Sequence, residues 1–529
     1  MHSALETPEI VQNVFIYLSK ASLVALATVC RSLSGIALDE LWRKMSSLDP
    51  LYQCLPQKVW AQNESGHLVP GVEVPRNSED WVRFNFYAAR IHELSFSEDS
   101  AEMRPDLLKI VKVYLPAAMI PLPQLSALRL VRSCTDAELG LLSSTVLHPG
   151  IRRIEISSVS SASVLTALSF AQLSCPDLIH LVISKTVGVL PMLAQFKNIR
   201  TLVYDSPSDN LDDISILRLS RLPFLQKLQL TSPFISNSFP LASSPSNLED
   251  VWFPSLEDLT LGCVIGLEAL SRLIRMIDSS SLRSMSLAYI LSKETLGDTR
   301  SLALSLALHP QLVNLSLSGR RMHESVPTLA DFHGLSSLSS LQEVSFANVR
   351  PCEPLLADPK LGWHKLRVLR IESELWVSAA SPSNSSYKLS LLRRLASCCP
   401  CLAKLHIRLC ITSIPPAQRE IPRRDRPIQL VLCAASRSTV DAYFVAEFIS
   451  DIYPHMTITY ETDGTQRGES SRAEWEIINR GIARIAATRA EERRRTEAEV
   501  LERVLELIDS ASSVSIWCVR PNLLAGRGQ

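Results

Sequence analysis

The sequence predicts an α/β chain in three parts: short helices at the N-terminus, a solenoid with a curved parallel sheet inside and helices outside, and a C-terminal helical tail. Three observations predict it. A six-residue pattern, apolar-x-x-apolar-x-apolar, starts at Ile91, Leu125, Ile151, Leu178, Ile199, Leu225, Leu256, Leu282, Leu312, Leu341, Leu366 and Leu402, twelve copies in all. Several copies are entered through a proline, as in C-P-D-L at Leu178, F-P-S-L at Leu256, H-P-Q-L at Leu312 and C-P-C-L at Leu402. Ahead of them, three apolar segments of helical period fill the first forty-five residues.

The bulk numbers bound the answer. With 529 residues, 46% apolar and 20% charged, the chain exceeds one compact core and has the composition of a folded soluble protein. Lys plus Arg equals Asp plus Glu at 54 each, so no global field draws it to nucleic acid or an anionic membrane. No secretory signal is read at the start. The longest apolar stretch, Val113 to Pro123, is far below spanning length and holds three prolines. An intracellular protein, cytoplasmic or nuclear, is expected. Twelve cysteines without framework spacing read as buried thiols in a reducing compartment.

The first helix should start at Thr7, whose hydroxyl can cap it, with Pro8 at the first helical position and Glu9 facing the positive end of the dipole. It runs to about Leu18. Ile10, Val14 and Leu18, with Val11 and Phe15 beside them, form a stripe that should be buried. A second segment spans Leu23 to Leu33, and a third follows Ser34 with Ile36, Ala37, Leu41, Trp42 and Met45. So small a unit must pack on the rest of the chain or on a partner.

The strings L-E-T-P-E-I-V-Q-N-V-F-I-Y-L, L-V-A-L-A-T-V-C-R and A-L-D-E-L-W-R resemble an F-box, in order and spacing, from about Leu5 to Met45. Glu6-Thr7 replaces the family's usual Leu-Pro lead, and Leu33 stands where a Trp is common. The resemblance implies helices that dock on a SKP-type adaptor, and through it on a cullin-RING scaffold. Pro8, Ile10, Val14, Phe15, Leu18, Leu23, Val29, Cys30 and Trp42 stand at the implied adaptor-binding positions. The alternative is a helical cap that closes the end of the solenoid. Ser78 can cap the next helix, whose D-W-V-R-F-N-F-Y-A-A-R is similar to the start of the repeat region in fungal F-box proteins.

The twelve patterns lie 21 to 36 residues apart and about 28 on average, close to the ~20 to 29 of leucine-rich repeats. Where it precedes a strand in this way, proline ends the helix before it. Within each strand the two apolar residues face the core and the one between them faces outward. Arg129, Glu155, Thr260, Ser286, Ser316, Ser345, Arg370 and His406 belong to that outward set. Candidate substrate-binding residues on this face are Arg152, Arg153 and Lys227, then Glu257 and Asp258, then Arg367, Arg370, Lys404 and His406. Ordinary solvated strand charge is the competing reading.

From Ser471 to about Asp509 the sequence reads as one or two amphipathic helices that pack on the end of the array; a dimerising or partner-binding helix is the alternative. Residues 463–470 read as a flexible loop and about the last eight as disordered. Cys398, Cys399, Cys401 and Cys410 include a C-x-x-C spacing but no second pair, so buried thiols are expected and no metal. No phosphate-binding loop, nucleophile elbow or metal-binding helix motif is present.

The organisation expected is an F-box at 1–48, a linker at 49–77, leucine-rich repeats at 78–436, and a cap with charged helical tail at 437–529. The function implied is a non-catalytic substrate-recognition subunit of an SCF-type ubiquitin ligase. It needs no cofactor and binds an unidentified protein substrate. A repeat scaffold without any ligase is the alternative.

Overall fold

A computed structural model of the chain describes residues 7–515 with interruptions at 56–58, 63–67, 71–77, 98–104, 117–118, 132–133, 158–159, 207–209, 212, 232–233, 236–251, 292–295, 322–328, 350–361, 373–387, 417–423, 425, 433–435 and 462–465. It folds as two compact units, 1–327 with 331–338, and 328–330 with 339–529.

The first unit opens with helices α1 (Pro8–Phe15), α2 (Lys20–Val29) and α3 (Arg31–Arg43). Thr7 starts α1 without a side-chain cap; its carbonyl accepts from Ile10 and Val11. Ser19 does cap α2, accepting from Ser22 N at 3.1 Å. The break between α2 and α3 falls at Cys30, which takes an extended conformation, rather than at Ser34.

Among the described residues ten strands of one sheet follow in chain order: β1 (Lys44–Met45), β2 (Glu93–Phe96), β3 (Ala127–Leu130), β4 (Arg153–Ser157), β5 (His180–Ser184), β6 (Thr201–Asp205), β7 (Lys227–Thr231), β8 (Asp258–Gly266), β9 (Ser284–Leu291) and β10 (Asn314–Arg321). Each pairs with the next in parallel, and the register shifts only between Leu261 and Ile265. Parallel neighbours require a crossover, and helices such as Asp136–Val146, Ser161–Ser174 and Leu267–Met276 supply it. Alternation sorts the side chains: Leu128, Leu130, Ile154, Ile156, Leu181, Ile183, Leu202 and Tyr204 are all buried, while the residues between them are not.

The second unit repeats the design with β11 (Glu343–Ala347), β12 (Val368–Glu372), β13 (Lys404–Ile407), β14 (Ile428–Leu432) and β15 (Met456–Tyr460), again parallel neighbours. All twelve six-residue patterns are strands, and the fold is a leucine-rich-repeat-type solenoid.

The strand-entry prolines have a defined task. Leu178 N donates to Cys175 O, Leu312 N to His309 O and Leu402 N to Cys399 O, so each proline holds the second position of a turn. The residue before it points into the previous repeat: His309 Nε2 lies 3.1 Å from Ile274 O.

The parallel pairing passes beyond 78–436 at both ends, because β1 follows α3 without a linker and β14 and β15 carry the ladder on to Tyr460. Within 49–77 the described residues form a helical turn, Asp49–Tyr52, and an antiparallel pair, Trp60–Gln62 with Leu68–Pro70. Ser78–Trp81 is a 3-10 turn, so Val82–Ala88 starts at Trp81 and has no side-chain cap. The final helix runs from Gln466 to Ser515, taking in residues expected to be loop; 463–465 and the last residues, 516–529, lie outside the described ones. Its first half covers the β15 edge, where Asn479 Oδ1 accepts from Ile458 N at 3.0 Å. Among the described residues no helix is long and apolar enough to cross a membrane.

Candidate interaction surfaces

The N-terminal stripe splits in two. Val11, Phe15, Leu23 and Ala37 form a small core, with Leu18, Leu26, Leu33, Ile36 and Leu41 packed against it. Ile10 and Val14, expected inside, are 45% and 48% exposed. They flank the inner face of α1, which Val11 and Phe15, four apart, have taken. Ile16, Tyr17, Val24 and Val29 are exposed too, Tyr17 at 88% and Val29 at 82%. These six large apolar side chains, on or just after α1 and on α2, are left in water.

The nine sequence-predicted positions therefore divide. Pro8, Ile10, Val14 and Val29 are exposed; Leu18 and Cys30 are half-buried; Phe15 and Leu23 lie inside the helical core. Trp42 is half-buried and stacked on Tyr87, with ring centroids 4.6 Å apart. Ile16, Tyr17 and Val24 are exposed as well and were not among the sequence-predicted positions; Tyr17 stands seven and three residues after Ile10 and Val14, while Ile16 and Val24 carry no such spacing. Cys30 Sγ lies 3.0 Å from Ser32 Oγ, and that hydrogen bond, with backbone amides of Leu33 and Ser32, holds the thiol below its ordinary value.

On the outward face of the first unit the predicted charges meet across the ladder. Arg129 Nε and Nη2 donate to Glu155 at 2.8 and 3.3 Å, and Arg153 approaches the same carboxylate at 3.5 Å. Lys227 Nζ lies 2.7 Å from Asp258, its register partner on β8. The basic early section and the acidic middle are thus partly paired with neighbours, which leaves the exposed Arg152 and Glu257 as the less committed charges.

The late section lies in the second unit. Arg370 and His406 face each other in register on β12 and β13, and Lys404 stands one row earlier, opposite Val368. His406 is buried between two carboxylates, its Nδ1 2.9 Å from Glu372 and its Nε2 3.1 Å from Glu461, the latter at ion-pair distance but off hydrogen-bond angle. The His406 hydrogen bond, helped by the charges of His406 and Arg370, holds the Glu372 carboxyl below its usual range against the opposing effect of burial. Arg367 and Arg370 are exposed.

Cys398 and Cys399 are buried, Cys401 is half-buried, and the side chain of Cys410 lies outside the described ones. Burial pushes the Cys399 thiol up to about 12. Among the described residues no three His, Cys, Asp or Glu side chains converge as metal ligands would.

Residues 8–47, which are α1 to α3 and β1, match the F-box-like family. The chain carries an F-box-like domain. The repeat sheet follows this F-box in the chain. The fold is similar to an internalin from Listeria monocytogenes, at 12% identity and TM-score 0.39 over 81% of this chain and 92% of that one. It is also similar to TLR13 in its ssRNA13 complex, at 11% and 0.37 over 71% and 54%. A third likeness is to the complex of Rad7 and Elc1 in yeast, at 14% and 0.36 over 79% and 92%. No curated protein matches the chain in sequence.

Proposed function

We propose that the F-box-like helices bind a SKP-type adaptor and that the outward face of the repeat strands receives a protein substrate. The chain is then the non-catalytic substrate-recognition subunit of an SCF-type cullin-RING ubiquitin ligase. The observation that carries the reading is the exposure of the large apolar side chains Ile10, Val14, Tyr17, Val24 and Val29 on the segment that matches the F-box-like family. Burying them would stabilise a complex by ~25 cal/mol per Å² of apolar area, before the costs of association.

Transfer of ubiquitin would occur on partners, and the contribution of this chain would be proximity: holding a substrate lysine near the charged enzyme. On the substrate side the exposed Arg152, Glu257, Arg367 and Arg370, with the half-buried Lys404, are the charges offered to a ligand.

Co-purification with a SKP-type adaptor tests this. Wild type should retain the adaptor, and the double variant Val14→Glu, Val29→Glu should lose it while keeping its circular dichroism spectrum. If wild type retains none, the helices serve only as the cap of a repeat scaffold without a ligase.

A further inference from the structure

Arg152, Ile179, Arg200, Gln226, Glu257 and Arg283 stand one residue ahead of strands β4 to β9. They form one row across the sheet, because the N–H of each donates to the carbonyl of the one before it at 2.7 to 2.9 Å. Ser126, whose carbonyl accepts from Arg152, precedes the row without charge, and Glu257 and Arg283 end it one strand apart with opposite signs. Between these limits lie two exposed arginines, Arg152 and Arg200, on either side of the half-buried Ile179. Neither guanidinium has a hydrogen bond or ion pair among the described residues.

The next row adds little free positive charge. Arg153 lies 3.5 Å from Glu155 and Lys227 lies 2.7 Å from Asp258. Loss of water around the ring, and then the Arg153 charge, hold His180 below its ordinary value. The uncommitted cations of this rim are therefore Arg152 and Arg200, two planar forks of the kind that bind carboxylates in pairs of hydrogen bonds.

We infer that the β4–β6 rim docks an acidic segment of the substrate protein, held in the polyproline II conformation across the strands, with two Asp or Glu residues three apart that engage Arg152 and Arg200. This rests on the proposal that the outward face receives a protein substrate, and not on adaptor binding. The spacing selects the conformation. Strands two apart in a sheet are about 9.6 Å from each other. Polyproline II has three residues per turn and rises about 3.1 Å per residue, so residues three apart share a face at about 9.3 Å. A β-strand brings residues of one face to about 6.7 or 13 Å, short of that spacing or beyond it. The residues between the two acids then lie over Ile179. A nucleic acid fits poorly, since its phosphates call for a longer cationic track, and the row turns acidic at Glu257 two strands after Arg200.

The test uses the full chain and short fluorescent proline-rich peptides, two of equal charge carrying E-P-P-E or E-E-P-P and a third carrying K-P-P-K. Anisotropy in low salt, where screening is weak, should show E-P-P-E binding about fivefold or more tightly than E-E-P-P. Arg152→Ser with Arg200→Ser should remove that preference and leave the circular dichroism spectrum unchanged. Arg152→Glu with Arg200→Glu should turn the preference to K-P-P-K. Equal binding of the two acidic peptides, no binding of either, or no weakening in the serine variant overturns the inference. So does an oligothymidine probe that binds more tightly than E-P-P-E and is lost in the serine variant, since the occupant is then a nucleic acid. Adaptor co-purification on the same preparations keeps the two proposals apart. A chain that retains the adaptor but does not select E-P-P-E loses this docking site and keeps its F-box role, whereas one that selects E-P-P-E without the adaptor keeps the site and loses the ligase.

Discussion

Trp42, at the end of the third F-box helix, lies nearly flat on Tyr87 of the helix Val82–Ala88, with ring centroids 4.6 Å and planes 28° apart. Arg90 reaches back to Asp39 at 2.8 Å, and His92 N donates to Arg43 O at 3.0 Å. These contacts join the F-box to the first repeat on both sides of β1. Trp42→Ala should therefore cost about 2–3 kcal/mol, less than a fully buried Trp because the ring is half-exposed. Urea unfolding read by fluorescence should show a lower midpoint for the F-box and first repeats together. A separate early transition of the F-box alone would show that the junction does not couple them.

Neighbouring residues of α1 should fail in opposite ways. Phe15→Ala empties a core site of the F-box and should lose about 3–4 kcal/mol of its stability. Val14→Glu changes an exposed position and should move stability by less than about 0.5 kcal/mol while lowering adaptor affinity at least tenfold. Thermal unfolding and adaptor titration on the same preparations separate the two effects.

Acid should weaken the first unit before ordinary carboxylate protonation begins. Burial holds His148 and His309 below the usual histidine value, though each gains some compensation from backbone carbonyls. The unfolded chain then takes up protons near pH ~6.5 that the folded one refuses, so stability falls as pH drops below that value. Replacing both with Gln should flatten the dependence between pH 7 and 5.5, measured as urea midpoint. Glu372 adds a second window with the same sign: its depressed pKa gives stability present above about pH 4.3 and lost as pH falls further.

Gly481 marks the closest approach of the final helix to the helix Ala442–Ile452. A Cβ built there would come within 2.8 Å of Ala446 Cβ, which has no flexible end to give way. Gly481→Ala gains about 1 kcal/mol of helix propensity, yet the clash should outweigh it and leave a net loss of about 1 kcal/mol or more. Adding Ala446→Gly should recover the stability in a double-mutant cycle of melting temperatures.

The strands were legible because their pattern has period two and recurs, and Leu125, Leu178 or Leu312 needed no context to be placed inside. The two-residue β1 carries no period, and only its partner Glu93-Leu94 makes it a strand. The stripe on α1 showed that a face is apolar without showing which half meets α2 and α3; Ile10 and Val14, expected in a buried stripe and placed among the implied adaptor-binding positions, are exposed in the chain alone. Outward charges were located on the right strands, but register decides who neutralises whom. Arg129 finds Glu155 and Lys227 finds Asp258 only because adjacent parallel strands align them. His406 was singled out for its outward position, while its second carboxylate, Glu461, arrives from the far side of β14.

Because β1 is hydrogen-bonded to β2, the F-box sits at the origin of a scale whose divisions are strands. Each strand adds about 4.8 Å along the sheet. Inserting or deleting a whole repeat would shift every later surface of the first unit by one such division and leave α1 to α3 in place. Distance from the F-box is thus a quantity that evolution can change in fixed steps, independently of what any single repeat recognises.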